Sequence, residues 1–194
     1  MLLAPSTYNS TEDVPFVCKG YEMIQHHSPL SPENDFLGPY NKLLHALFPA
    51  DSEYTVILRS YSFSDSYGAA KAIFEFKVIF EDNPVFLLQI KGPRGLTVNS
   101  TSEKADDQMR KRMRDLAPNC PLDTLHGISA FGTRLSFYSY NKQTCILPKR
   151  VLPDRERETD SAPSSRWDCD ILEDEGGQRF QGIISEIKAR CDEL

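Results

Sequence analysis

Residues 72–91 constrain this chain more than any other stretch. Ala72-Ile73-Phe74-Glu75-Phe76-Lys77-Val78-Ile79-Phe80 and Val85-Phe86-Leu87-Leu88-Gln89-Ile90-Lys91 are apolar, aromatic and β-branched runs joined by Glu81-Asp82-Asn83-Pro84. Two such runs around a short polar link containing Asn and Pro predict a β-hairpin. Glu75, Lys77, Gln89 and Lys91 interrupt its apolar arms, and burying an acid, an amide or an ammonium is costly unless it pairs, binds a ligand or reaches water. A plain two- or four-residue turn centred between Asp82 and Asn83 sets Glu75 opposite Ile90 and splits the polar groups between the two faces. A three-residue loop or a bulge sets Glu75 opposite Gln89 or Lys91. The second arrangement puts Phe74, Phe76, Val78 and Phe80 on one face with Phe86, Leu88 and Ile90, and gathers the polar residues on the other. A slip by one residue would bury charge against aromatic rings, so the pattern predicts the odd register.

The remaining elements follow from local periodicity. Tyr40, Leu43, Leu44, Leu47 and Phe48 recur at helical spacing, with Pro39 in the first turn and Pro49 as the stop. Residues 53–61 predict a strand and residues 62–68 a turn-rich link. Gly92-Pro93-Arg94-Gly95 ends the hairpin's second arm. Ser100 and Glu103, at capping-box spacing, open a helix to about Leu116, whose buried stripe is Ala105, Met109, Met113 and Leu116. Strands are predicted over 124–131 and 134–140, with a tight turn at Gly132-Thr133 and a short strand at 145–147. The last helix buries Phe180, Ile183, Ile184, Ile187 and Cys191 and starts near Glu175-Gly176-Gly177. Residues 1–30 read as an extended N-terminal arm, with a short strand near Val14 to Cys18. Residues 31–194 read as one domain with an exposed, charged, Ser/Pro-rich loop at 152–166. The order α-β-β-β-α-β-β-α predicts an α+β or α/β layered domain with a mixed sheet flanked by helices. The passage from residue 85 to residue 131 is long enough to make those two strands parallel.

Composition narrows the function classes. A net charge of −6 argues against a surface that is basic throughout, leaving Arg110-Lys111-Arg112 with Arg114 as a local basic patch. The five cysteines are scattered without a C-x-x-C pair, which argues against a zinc ribbon and fits a reducing, intracellular compartment. No apolar run reaches membrane-spanning length, and no signal-peptide core is seen. The sequons at Asn9 and Asn99 and the terminal Asp192-Glu193-Leu194 therefore read as chance matches. His26-His27 reads as an exposed pair rather than a metal site. His126, inside an apolar strand, reads as a hydrogen-bonded core histidine. Asp168 or Asp170 reads as an N-cap beside an anchoring Trp167.

The helix, the three-strand meander, the second helix and the further strand, with Glu75 on the second strand and Gln89-Ile90-Lys91 on the third, resemble the PD-(D/E)XK superfamily, whose fold is restriction-endonuclease-like. The resemblance covers roughly residues 39–140. Residues 125–133 with Trp167-Asp168 also resemble segments of proteins from mushroom-forming fungi, a likeness that implies no function. Membership in the superfamily implies a metal-dependent phosphodiesterase acting on DNA or RNA. Glu75 and Gln89 would hold Mg²⁺, Lys91 would assist the attacking water, and Gln108 and Arg112, one turn apart on the second helix, would touch substrate phosphate. Gln89 departs from the carboxylate usual there, which weakens divalent-metal affinity. A second assignment places the signature at Glu75-Phe76-Lys77 with Asp65 as partner acid. The rival expectation is a catalytically inactive nuclease-like scaffold that binds nucleic acid or a protein. The plainest alternative is a set of cross-strand ion pairs on a partly solvated sheet face.

Overall fold

The computed structural model describes residues 33–64, 70–151 and 161–194. A mixed sheet forms its middle layer. In chain order the elements are α1 (Asn34–Leu47), β1 (Tyr54–Ser64), β2 (Ala70–Phe80), β3 (Asn83–Lys91), α2 (Asn99–Leu116), β4 (Thr124–Phe131), β5 (Arg134–Asn141), β6 (Ile146–Leu147), β7 (Cys169–Asp170) and α3 (Asp174–Cys191). The strands lie in the order β1-β2-β3-β4-β5-β6, and β7 pairs with the end of β5 beyond β6. All pairings are antiparallel except β3 with β4. That parallel pair is the expected consequence of a helical crossover, here α2.

Each face of the sheet receives helices suited to its side chains. Phe76, Val78, Phe80, Phe86, Leu88, Ile90 and Ile128 belong to one buried apolar cluster with Tyr40, Leu44 and Phe48 of α1 and Phe180, Ile184 and Ile187 of α3. Phe86 meets Phe180 edge-on at 6.2 Å, and Phe48, Tyr54 and Phe80 form a chain of tilted rings. The opposite face is covered by α2, whose Ala105, Met109 and Met113 are fully buried. Gly127 lets α2 come close: a Cβ there would lie 3.0 Å from Met109 Sδ and 3.2 Å from Leu87 Cδ2. The β4–β5 turn depends on Gly132, whose φ of 63° suits glycine. Its N–H donates to Lys91 O and its carbonyl accepts from Tyr40 Oη, which ties the end of β3 to α1.

Several expectations are corrected. α1 begins at Asn34, so Pro39 lies inside the helix rather than in its first turn. β1 runs on to Ser64, into the stretch read as a link. No side chain caps α2 at Val98, and Glu103 instead accepts from Ser161 N and Oγ, so tertiary contact displaces the capping box. α3 starts at Asp174 behind Glu173, and neither Asp168 nor Asp170 caps it. Asp170 accepts from Leu172 N and from Thr133 Oγ1. Trp167 is the anchor expected, fully buried against Phe131 and Ala105. The end of the 152–166 loop is only partly exposed: Ser164 and Ser165 are exposed, but Ser161 and Ala162 are buried and the Arg166 side chain nearly so, because Glu103 and Asp106 of α2 hold Ser161 and Arg166. The expected strand at Val14–Cys18, His26-His27, Asp65 and residues 152–160 lie outside the described residues.

Candidate functional site

The hairpin reaches the odd register by a tight turn plus a bulge. Glu81 and Asp82 adopt φ of 45° and 65°, the left-handed pair of a two-residue hairpin turn. Phe80 faces Asn83 and Ile79 faces Pro84, but Val78 then faces Phe86, so one extra residue enters β3. Pro84 has no N–H to give a regular ladder, and the bulge falls beside it. The shift sets Glu75 opposite Gln89.

Continuing across the sheet, Arg59 faces Glu75, Gln89 faces Ser129 and Ser129 faces Ser136. Directly opposed residues share a face, so one polar row crosses five strands beneath α2. Its middle is dry: Glu75, Gln89, Ser129 and Ser136 are at most 1% exposed.

All five residues singled out from the sequence meet on this face, but they pair with one another. Arg112 Nη2 donates to Glu75 Oε1 at 2.7 Å and its Nε to Oε2 at 2.9 Å, a two-pronged clamp. Gln89 Nε2 donates to Glu75 Oε2 at 3.1 Å. This fixes the orientation of the amide, because the carboxylate can only accept. Arg112 also donates to Tyr61 Oη at 3.0 Å and lies over the Tyr61 ring. Lys91 Nζ donates to Gln108 Oε1 at 2.6 Å. Gln89 Oε1 and Ser129 Oγ are buried without a hydrogen-bonding partner among the described residues. The basic cluster read at 110–114 is not a free patch: Arg112 is held by Glu75 and Arg110 by Asp106.

Burial pushes the Lys91 amine down to about 8, with the charge of Glu33 acting weakly the other way. Below pH 8 the folded protein carries that ammonium in a dry site. As the pH rises from 8 toward the ordinary lysine value, the unfolded chain still holds a proton that the folded chain has released. Stability from this group therefore increases across that window, by about 2–3 kcal/mol. Urea denaturation at pH 7 and pH 10 should show the rise as a difference between wild type and Lys91→Met, which lacks it. An equal pH response in the two proteins would remove the assignment.

Sequence reasoning missed a second buried cluster under α2. Asp106, fully buried, accepts from Arg110 Nε at 2.7 Å, from Tyr138 Oη at 2.9 Å and from Arg166 Nη1. Burial and the neighbouring Asp106 charge raise the Tyr138 phenol above its ordinary value, so it remains a donor. Only the i,i+4 spacing of Asp106 and Arg110 was visible in the sequence; Tyr138 and Arg166 arrive from distant elements. His126, expected as a hydrogen-bonded core histidine, is instead partly exposed. Burial lowers its pKa against the opposing pull of Glu186, whose Oε1 lies 3.6 Å away. His126 lines two clefts of about 490 Å³ each, neither of which is lined by Glu75, Gln89 or Lys91.

Fold and site together define an α+β layered domain with a buried, ion-paired polar row under its crossover helix. No family model, curated protein or solved structure matches the chain. For Mg²⁺, the donors at the polar corner are one carboxylate, with both oxygens on Arg112, and one amide oxygen. Among the described residues no three His, Cys, Asp or Glu side chains are grouped to hold a metal ion. Mg²⁺ seeks near-octahedral oxygen ligation, commonly from one or two carboxylates plus water, and the corner as arranged does not fit it. Among the described residues no helix is long and apolar enough to cross a membrane.

Proposed function

We propose that this chain is a PD-(D/E)XK-like scaffold that does not hydrolyse nucleic acid and serves as a binding module. One observation carries the reading. The guanidinium of Arg112 occupies both oxygens of Glu75, the acid that a metal-dependent site would need free. Gln89 adds an amide rather than a second negative charge, and it spends its N–H on the same carboxylate. Lys91, the residue that would assist a water, is bonded to Gln108 instead. An active enzyme would have to break the Arg112 clamp to load a metal, and breaking a largely buried ion pair costs several kcal/mol.

The test is incubation of the full chain with single- and double-stranded DNA and RNA in Mg²⁺ or Mn²⁺, alongside Glu75→Ala and Lys91→Ala. The expected result is no cleavage above that of the two variants, and a denaturation midpoint that does not move with added Mg²⁺. Cleavage by wild type that both substitutions abolish would establish the nuclease reading in its place. Filter binding across a salt series then asks whether nucleic acid is a partner, since phosphate contacts weaken steeply with salt.

A further inference from the structure

Among the described residues β1 is the edge strand of the sheet, and its outer side is unpaired. Its eleven residues pair with β2 along their whole length, and no other strand among the described residues pairs with it. A strand of that length with one unpaired row of N–H and C=O groups is a template for a further strand. Its two faces differ. On the side shared with α2, Arg59 is exposed and stands next to Glu75 in the register. Arg59 and Arg112 both lie near enough to Lys77 to repel its ammonium. Glu75 is already engaged by Arg112, and Asp115 also lies near Arg112, so among the described residues Arg59 has no ion-pair partner and Lys77 feels only the attraction of that engaged Glu75. On the other side Leu58 is 45% exposed. It faces Phe76 and so continues the apolar face beyond the helices.

The geometry points to β1 as the docking edge for an extended protein segment in which acidic and apolar side chains alternate. Such a segment would add a strand to the sheet, with carboxylates toward Arg59 and apolar groups toward Leu58. Charge complementarity selects this occupant over a second copy of the chain. Two β1 strands paired antiparallel over their full length would place Arg59 opposite Arg59, and directly opposed like charges are destabilising. This inference supplies a partner for the non-hydrolysing reading and rests on that reading for its biological sense. Its test is a binding isotherm that owes nothing to the presence or absence of cleavage, so failure of the one is distinguishable from failure of the other.

The probe is a fluorescently labelled peptide of about nine residues, near the length of an ordinary strand, with Glu and Val alternating. Titration into the full chain should give saturable binding, with ¹⁵N shifts concentrated on the amides of residues 54–61. Arg59→Glu, an exposed position whose folding is checked by circular dichroism, should weaken binding about fivefold or more. It should also transfer preference to the matching Lys/Val peptide. A peptide N-methylated on alternate residues should not bind, because it cannot complete the ladder. The proposal is overturned if the N-methylated peptide binds equally, if Arg59→Glu leaves the preference unchanged, or if no peptide binds. It is overturned equally if sedimentation shows a dimer with β1 amides protected, which would make the second copy the occupant.

Discussion

Asp106→Ala should lower the stability of this protein by about 3–5 kcal/mol, read as the fall in the urea midpoint at constant m-value. The carboxylate is fully buried, and its two cationic partners are nearly so, with side-chain exposures of 9% for Arg110 and 8% for Arg166. Removing it leaves two guanidiniums in a low-dielectric site without a counter-charge, and Tyr138 Oη without its acceptor. The effect should reach further than the pocket. Arg166 also donates to Lys149 O and Ser161 O, and Arg110 to Pro148 O. Asp106 thus fastens the segments around residues 148 and 161–167 to α2. Hydrogen exchange should accordingly show the Arg166 and Trp167 amides opening with the variant, while Met113 and Ile128 remain protected. The exposed pair of Arg150 with Asp107 is the control. Both partners are more than a third exposed, so Arg150→Ala should cost less than about 1 kcal/mol. Similar losses for the two variants would mean that the Asp106 cluster holds nothing together.

Arg112→Leu should cost about 3 kcal/mol, at the low end of the range for a broken buried pair because a quarter of the Arg112 side chain reaches solvent. The loss arises mainly from Glu75, which is stranded as a buried carboxylate with only the Gln89 amide left to it. The double variant Glu75→Leu/Arg112→Leu removes both charges and should recover part of the stability. A residue of about 1–2 kcal/mol should remain, because the Gln89 N–H then has no acceptor. A double-mutant cycle in urea measures the coupling directly. If the two single substitutions simply add, the clamp is not the interaction that keeps Glu75 in place, and Glu75 is a free acid after all.

The sheet and its helices were largely legible in the sequence. The predicted strands at 124–131 and 134–140 match β4 and β5 to within a residue, and the parallel β3–β4 pair follows from the length of the crossover. The odd register was also readable, because Phe74, Phe76 and Val78 share a face with Phe86, Leu88 and Ile90 only if Glu75 meets Gln89 or Lys91, and the fold sets it opposite Gln89. Errors gathered at element ends. Glu103 left its capping role for Ser161, and the N-cap of α3 is Glu173 rather than Asp168 or Asp170, although the helix starts near Glu175 as read. Local rules lost at these points because the side chains took other partners: Glu103 accepts from Ser161, and Asp170 from Thr133 and Leu172.

For the site the division is sharper. Periodicity and the strand alternation by themselves predicted that Glu75, Gln89 and Lys91 share one face of the hairpin. They could not determine what those groups touch. A carboxylate near a glutamine and a lysine is compatible with a metal site or with an ion pair. What distinguishes the two is where one guanidinium, some 37 residues away, comes to rest. Only the packing of α2, through Met109, on Gly127 brings Arg112 onto Glu75, and only the return of the chain at Arg166 closes the cluster on Asp106. Alternation along a strand is set by backbone geometry and is written locally. The partner of a buried charge is set by which distant element arrives to neutralise it, and that is decided by the fold as a whole.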